Sequence, residues 1–304
     1  MIQTSNSNSY VGRFAPSPTG PLHLGSLVTA VASFLQAKSK GGRWLLRIED
    51  IDPPRQQLGA AESIIRALDN YGFEWDGSII YQSKNHDAHE NALQSLIDQS
   101  LTYPCKCTRR DLVDLKTGPL GKIYPGTCRD LKGLSDTAIR LKTDDIEIDF
   151  EDSLQGRFAQ RLESESGDFV IRRRDGLISY NLAVVVDDEI QGVTEVVRGF
   201  DLLDSTPRQI WLQRLLNYRT PNYIHVPIVT REDGNKLSKL TGAAGISLNS
   251  TSKTLCAALT ILGQNPPTDL ASSLIPDIWS WANENWQIKD LVGRTSVIEN
   301  DVTM

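Results

Sequence analysis

The chain has 304 residues, 39% hydrophobic and 23% charged, a composition that excludes collagen-like, disulfide-scaffold and wholly disordered chains and leaves enough length for one or two cores. Lysine and arginine number 32 against 38 aspartates and glutamates, for a formal net charge of −6, so any nucleic-acid partner must be met by local patches. Four cysteines make no disulfide framework, the start MIQTSNSNSY lacks the basic and apolar regions of a signal peptide, and no apolar run approaches the roughly 18 residues of a membrane span. A reducing cytoplasm, with no membrane partner, is the expected setting.

Residues 1–9 are Ser/Asn-rich and aperiodic, which predicts a disordered tail. Tyr10-Val11-Gly12-Arg13-Phe14 reads as a strand, and Pro16 to Pro21 is a dense run of turn residues. Leu24, Leu27, Val28, Val31 and Leu35 then fall at helical spacing until Gly41-Gly42, and Arg43 to Ile48 reads as a second strand ending at Glu49, Asp50 and Asp52. Strand, helix and strand in about 40 residues predict a βαβ unit, and so an α/β fold with a parallel sheet. Further helices are expected at 58–71, closed by Gly72, and at 90–101, with Leu93, Leu96, Ile97 and Leu101 on one face. Regular patterning degrades over 104–165, which reads as an insertion between two halves of the sheet domain, 10–103 and 166–243. Within the second half, Ala183-Val184-Val185-Val186 and Val226-Pro227-Ile228-Val229 read as buried strands. Residues 244–304 are expected to form a short helical module, with Leu255, Ala258, Leu259 and Leu262 on one stripe.

Three groups of residues carry chemistry. His23-Leu24-Gly25-Ser26 opens the first helix, where free N–H groups attract phosphate and a glycine lets a flat ring approach the backbone. Lys236-Leu237-Ser238-Lys239 follows a Gly-containing turn, and two lysines three apart could neutralise charge on a triphosphate under attack; a Lys-x-x-Lys loop by itself is usually a solvated surface. Cys105 and Cys107 point the same way on an extended segment, and Cys128 can close on the same metal from a second arm. Chemistry alone does not reveal a fourth ligand, since no histidine lies nearby. Residues 105–132 also hold seven cations against three acids, among them Arg109 and Arg110, and Arg172-Arg173-Arg174 forms a second basic run, two candidate phosphate contacts.

Taken together, Arg13 to Ser26 and Lys236 to Leu240 resemble the two signature motifs of class I aminoacyl-tRNA synthetases. The strings Arg47-Ile48-Glu49-Asp50-Ile51-Asp52, Tyr180 to Asp188 and Val197 to Pro207 narrow the resemblance to the glutamyl branch. Leu240 departs from that pattern, where full-length enzymes commonly carry Arg or Ser, while Lys239 is retained.

The resemblance implies a Rossmann-type catalytic core with a zinc-binding, acceptor-type insertion and a short C-terminal helical module. It also implies ATP as a substrate with Mg2+, L-glutamate as the amino acid, and a tRNA partner. His23 and Lys239 would be catalytic. With Gly25, Ser26 and Lys236 they would bind ATP. Arg13, Phe14, Ala15, Pro16, Ser17, Glu49, Tyr180 and Arg198 would bind glutamate, Glu49 suiting an ammonium and Arg198 a carboxylate. Tyr124 stands where the family supplies a tyrosine, which makes Cys105, Cys107, Tyr124 and Cys128 the expected ligands of one structural zinc ion. Cys256, far off in the helical tail, reads as a core residue. Only 65 residues follow Lys239, too few for the anticodon-binding domain of full-length enzymes. The chain is thus similar to the shortened branch that places glutamate on queuosine in the anticodon of tRNA(Asp). Alternatives are a minimal synthetase that charges a tRNA 3′ end and a catalytically idle RNA-binding paralogue. A monomer is expected.

Overall fold

Strand β1 (Val11–Phe14), helix α1 (Leu24–Ser39) and strand β2 (Arg43–Ile48) form the expected βαβ unit in a computed structural model that describes residues 9–237 and 244–299. The tail read at 1–9 lies, apart from Ser9, outside the described residues. The two strands run parallel, with Arg13 opposite Leu45. Gly41 turns the chain at a φ of +60°, and a Cβ on Gly42 would lie 2.6 Å from Tyr10, so this pair both stops α1 and lets β2 start tightly beside β1.

Helix α2 (Ala60–Asn70) is followed by Gly72 at a φ of +72°, and strand β3 (Ile80–Tyr81) extends the sheet parallel to β2. Helix α3 (His86–Asp98) starts earlier than its apolar spacing suggests. It buries His89, Ala92, Leu93 and Leu96 and turns Ile97 to solvent. The inward face is the one carrying His89, because Asp187 receives its imidazole at 3.0 Å and removes the cost of burying it.

The stretch read as an insertion divides in two. Strand β4 (Thr102–Cys105), the small hairpin β5 (Thr117–Gly118) and β6 (Gly121–Lys122), and β7 (Ala138–Leu141) come first. The hairpin β8 (Glu147–Asp152) and β9 (Gly156–Arg161) follows, then β10 (Phe169–Arg172). Antiparallel β7 lies between β4 and β10, so pairing crosses the boundary drawn at 165.

Helix α4 (Tyr180–Ile190) corrects one expectation, since Ala183 to Val186 is not a strand. Leu182 to Asp188 are all buried. A helix buried on every side shows the same continuous apolar run as a buried strand, so periodicity could not separate the two. Strand β11 (Glu195–Gly199), helix α5 (Thr206–Leu216) and strand β12 (Asn222–Val226) complete a sheet of order β11-β12-β8-β9, in which the β8–β9 hairpin is an integral part. Thr194 N–H donates to the Val11 carbonyl at 2.9 Å and ties this sheet to β1. The apolar run at 226–229 is shared between β12 and β13 (Ile228–Thr230), parted by Pro227, which has no N–H to offer a ladder.

Helices α6 (Thr251–Ile261) and α7 (Ile275–Asn285) lie in the C-terminal stretch, with Leu255, Ala258, Leu259 and Leu262 buried. The stretch is not wholly helical, however: β14 (Ser296–Ile298) pairs parallel with β13, Val297 opposite Val229. Nor does it have a core of its own. Phe34 of α1 sits 5.1 Å from Trp44, 5.4 Å from Phe73 and 4.8 Å from Trp279 between ring centroids. Trp279 Nε1 donates to the Tyr71 carbonyl at 2.9 Å and Trp286 Nε1 to Gln36 Oε1 at 3.2 Å. Trp279→Ala removes an aromatic ring that is 7% exposed from this shared cluster. It should cost about 3–5 kcal/mol in urea unfolding and lower the melting temperature of the whole chain in one transition.

Candidate active site

The C-terminal ends of β1 and β2, with helix α4, hold a buried group of four charges. Arg13 spans Asp188 with Nε to Oδ1 at 3.2 Å and Nη2 to Oδ2 at 3.4 Å. Arg47, fully buried, reaches Asp188 Oδ1 at 2.8 Å, Gln191 Oε1 at 2.9 Å and Glu49 Oε1 at 3.2 Å. Burial pushes Asp188 upward, but Arg13 and Arg47 outweigh it and hold its pKa below the usual carboxylate value. Glu49 moves the other way, because burial outweighs Arg47 and Arg13. Glu49 N–H also donates to the Pro16 carbonyl at 3.0 Å, fixing the loop after β1 against the end of β2.

This arrangement separates the predicted glutamate residues into two kinds. Ser17, Glu49 and Tyr180 line a single cavity of about 160 Å³, with Gln82, Asp52 and Arg173 on its walls. The pKa of the Tyr180 hydroxyl is raised by burial and it feels the charges of Arg198, Glu49, Arg13 and Asp188, while neither Arg198 nor Arg13 lines this cavity. Phe14 instead stacks on Trp44 in the core at 6.3 Å. Arg13 is committed to Asp188. Ala15 and Pro16 form the connecting loop.

Arg198 is 4% exposed and makes no ion pair among the described residues. Its Nε donates to His225 Nε2 at 3.0 Å, Nη1 to Gln209 Oε1 at 2.7 Å and Nη2 to Thr206 Oγ1 at 2.8 Å. A fourth contact, Nη2 to the Leu202 carbonyl, is long at 3.4 Å. A guanidinium has five N–H groups, so one Nη1–H keeps no protein acceptor. A buried cation with only neutral partners is a place built for an anion.

The first chemical motif keeps its expected shape. His23 caps α1, its Nδ1 accepting from Ser26 N–H at 3.2 Å and its Nε2 lying 3.0 Å from the Ser26 hydroxyl. A Cβ on Gly25 would lie 3.2 Å from the His23 ring and 3.6 Å from the Leu237 carbonyl, so the two motifs meet across that glycine. Lys236 bridges to Thr230 and pairs with Asp201. Ser238, Lys239 and Leu240 lie outside the described residues.

Cys105, Cys107 and Cys128 converge, their sulfurs within 4.8 Å of one another, with Cys107 and Cys128 at 3.6 Å. Tyr124 Oη lies 3.4 Å from Cys105 Sγ and 3.3 Å from Cys107 Sγ and accepts from the Cys128 N–H at 3.1 Å. Arg140 Nε donates to Cys105 Sγ at 3.2 Å and its guanidinium covers the Tyr124 ring at 3.9 Å. Burial pushes Cys128 up, but hydrogen bonds from Tyr124 and from the Lys106 backbone bring it down to about 7. Soft donors with a local cation suit a thiophilic metal. In the second basic run, Arg173 is tied to Asp52 at 3.0 Å and to Asp175, and Arg174 to the Lys106 carbonyl.

Sequence reasoning missed Arg47, Asp188, Asp152, His225, Thr206 and Gln209. Arg47 and Asp188 lay inside strings that carried the resemblance, and two adjacent acids ending an apolar run were a usable signal. His225 and Asp152 had none, because their meaning lies in strand pairing.

A parallel βαβ core with His23 capping its first helix, the two motifs meeting at Gly25, is the frame of a ligase-type enzyme of the class I synthetase kind. Residues 10–251 match the family described as tRNA synthetases class I (E and Q), catalytic domain, and the chain belongs to that family. It is 50% identical over 295 residues to a glutamyl-Q tRNA(Asp) synthetase of Pseudomonas fluorescens, covering 97% of each chain. It is 51% identical to one of Dechloromonas aromatica, covering 96% of this chain and 98% of that one. In fold it is similar to a glutamate-tRNA synthetase from Elizabethkingia anophelis, with a TM-score of 0.78 at 22% identity over 95% of this chain and 68% of that one. No helix among the described residues is long and apolar enough to cross a membrane.

His225 makes the fold sensitive to mild acid. Burial, with Arg198 adding to it and Asp152 opposing, holds its pKa down to about 4, below the ordinary 6.5. The unfolded chain therefore takes up this proton first as pH falls. Stability should be complete above about 6.5 and be lost progressively toward 4, by an amount on the order of 3 kcal/mol. Melting curves from pH 7.5 to 4.5 should show the decline, and His225→Gln should make it shallower.

Proposed function

We propose that the protein activates L-glutamate with ATP and transfers it to queuosine in the anticodon of tRNA(Asp). The observation that carries this reading is Arg198, a buried guanidinium whose protein partners are all neutral. The glutamate side-chain carboxylate completes it, while Glu49 receives the α-ammonium beside Ser17 and Tyr180. The α-carboxylate attacks the α-phosphate of ATP, expelling pyrophosphate and leaving glutamyl-adenylate. His23, Gly25 and Ser26 hold the nucleotide at the start of α1, and Lys236 and Lys239 offset the charge that builds on the phosphates. A hydroxyl of the queuosine cyclopentenediol then takes the acyl group and AMP leaves. The near-complete overlap with relatives named glutamyl-Q tRNA(Asp) synthetases supports the choice of acceptor. Arg109, Arg110 and the run Arg172 to Arg174 would hold loop phosphates while an unstacked base enters the pocket.

With ATP and labelled glutamate, the purified chain should label queuosine-containing tRNA(Asp), and blocking the 3′-terminal adenosine selectively should leave the label intact. Label on the terminal adenosine, or on tRNA lacking queuosine, would make it an enzyme that charges tRNA ends. Absence of glutamate-dependent ATP–pyrophosphate exchange would make it an idle RNA binder.

Cys105, Cys107 and Cys128, with Tyr124 as the fourth ligand, would hold one zinc ion that closes the β4–β7 module and takes no part in the reaction. Elemental analysis should find one zinc per chain. Cys105→Ser should lose it and lower the melting temperature with little change in the KM for glutamate. A metal-free wild-type protein of equal stability would overturn the assignment.

A further inference from the structure

Arg198, His225 and Asp152 form one row across three neighbouring strands. Arg198 and His225 are direct register partners on β11 and β12, and Asp152 stands at the end of β8, where it pairs beside Tyr223 of β12. His225 lies between the other two: Arg198 Nε is 3.0 Å from its Nε2, and its Nδ1 is 2.6 Å from Asp152 Oδ2. All three side chains are buried.

The donor and acceptor count allows one arrangement. An arginine Nε–H only donates, so His225 Nε2 must carry a lone pair and Nδ1 the proton. Asp152 is then the acceptor for Nδ1–H. Its oxygens are otherwise filled by backbone donors, Leu154 N–H and Gln155 N–H at 2.9 Å on Oδ1 and His225 N–H at 3.0 Å on Oδ2. Gln209 and Thr206 hold the far end of the same guanidinium, and Gln209 is itself oriented by donating to Asn181 Oδ1 at 3.1 Å.

We infer that Asp152 and His225 are positioning residues for glutamate recognition: Asp152 selects the Nδ1–H form of His225, and the Nε2 lone pair aims the Arg198 fork at the substrate carboxylate. This rests on the reading of Arg198 as the carboxylate-binding residue. It also gives the β8–β9 hairpin, which lies within the stretch of sequence read as an insertion, a direct part in the amino-acid pocket.

The row makes a distinctive prediction for isosteric changes. In Asp152→Asn the oxygen stays at the Oδ1 position with the Leu154 and Gln155 N–H groups, where His225 N–H also reaches it at 3.3 Å, and the amide NH2 faces Nδ1. His225 must then become the Nε2–H form, which opposes Arg198 donor to donor. In His225→Gln the carboxamide oxygen reaches the Nε2 position and still receives Arg198. In His225→Asn the side chain can satisfy Asp152 but is too short to reach Arg198. A purely structural pair would favour Asn over Gln, because Asn keeps the buried carboxylate partnered.

The test uses the full chain in glutamate-dependent ATP–pyrophosphate exchange, together with 15N NMR of the imidazole nitrogens, assigned by loss of the His225 signals in His225→Gln. Wild-type His225 should show a protonated Nδ1 and an unprotonated Nε2. Asp152→Asn should reverse that pattern and raise the KM for glutamate about 10- to 100-fold, the scale of a lost hydrogen bond to a charged group, with kcat and the KM for ATP little changed. His225→Asn should match it, and His225→Gln should stay nearer wild type. Wild-type glutamate KM in Asp152→Asn, an Nε2–H form in the wild type, or His225→Asn outperforming His225→Gln would each overturn the inference. If Asp152→Asn does not fold, the wild-type tautomer and the order of the two His225 variants still decide. Arg198→Ala separates the two layers. An unchanged glutamate KM there would remove the reading of Arg198 itself, whereas a raised KM with normal Asp152→Asn kinetics would remove only the positioning role.

Discussion

Asp188 satisfies two buried guanidiniums at once, and the geometry of the pocket follows from that sharing. Arg13 comes from β1, Arg47 from β2 and Asp188 from α4, so one carboxylate ties the first βαβ unit to the helix that begins at Tyr180. Without it Arg13 would lose its carboxylate partner and Arg47 would keep only Glu49, and an unpaired buried charge costs several kcal/mol. Glu49 rides on the same network through Arg47 and through the Pro16 carbonyl. The loop after β1, the end of β2 and the start of α4 are therefore held as one rigid wall.

Against that wall, Arg198 is the exception. Three arginines are buried near the cavity, and two are neutralised by protein carboxylates while the third is surrounded by an imidazole, an amide, a hydroxyl and a carbonyl. Neutral partners fix the direction of a guanidinium without cancelling its charge. The result is a cation oriented in advance, with its desolvation already met by the fold, which is the condition for tight and selective recognition of a small carboxylate. The Tyr223 ring, 5.4 Å from the guanidinium carbon, adds a further neutral support.

The C-terminal helices serve the same end indirectly. α6 and α7 cover α1 and the first half of the sheet, and the cluster of Phe34, Trp44, Phe73 and Trp279 fuses them into the core that carries the His23 turn. β14 then pairs with β13, just before the loop that carries Lys236, so the end of the chain braces the strand that leads into the second motif.

Much of this was legible in the linear chain. The β1–α1–β2 unit follows from helical spacing ended by Gly41-Gly42 and set between two short apolar runs, and the pairing of Cys105 with Cys107 follows from the alternation of side chains on an extended segment, Cys128 closing from a second arm. The resemblance of a few strings also grouped Glu49, Tyr180 and Arg198 as glutamate residues, and of these Glu49 and Tyr180 line one cavity. What the chain could not disclose alone was which side chains share a partner. The run Ala183 to Val186 is as apolar as a buried strand and became a helix because it is enclosed on every side, which periodicity does not record. Arg13 and Arg198 both read as glutamate-binding residues, and only tertiary packing gave Asp188 to one and left the other with neutral groups. His225 and Asp152 lie 73 residues apart and acquire their relation from parallel strand register, a property of the sheet that local sequence does not encode.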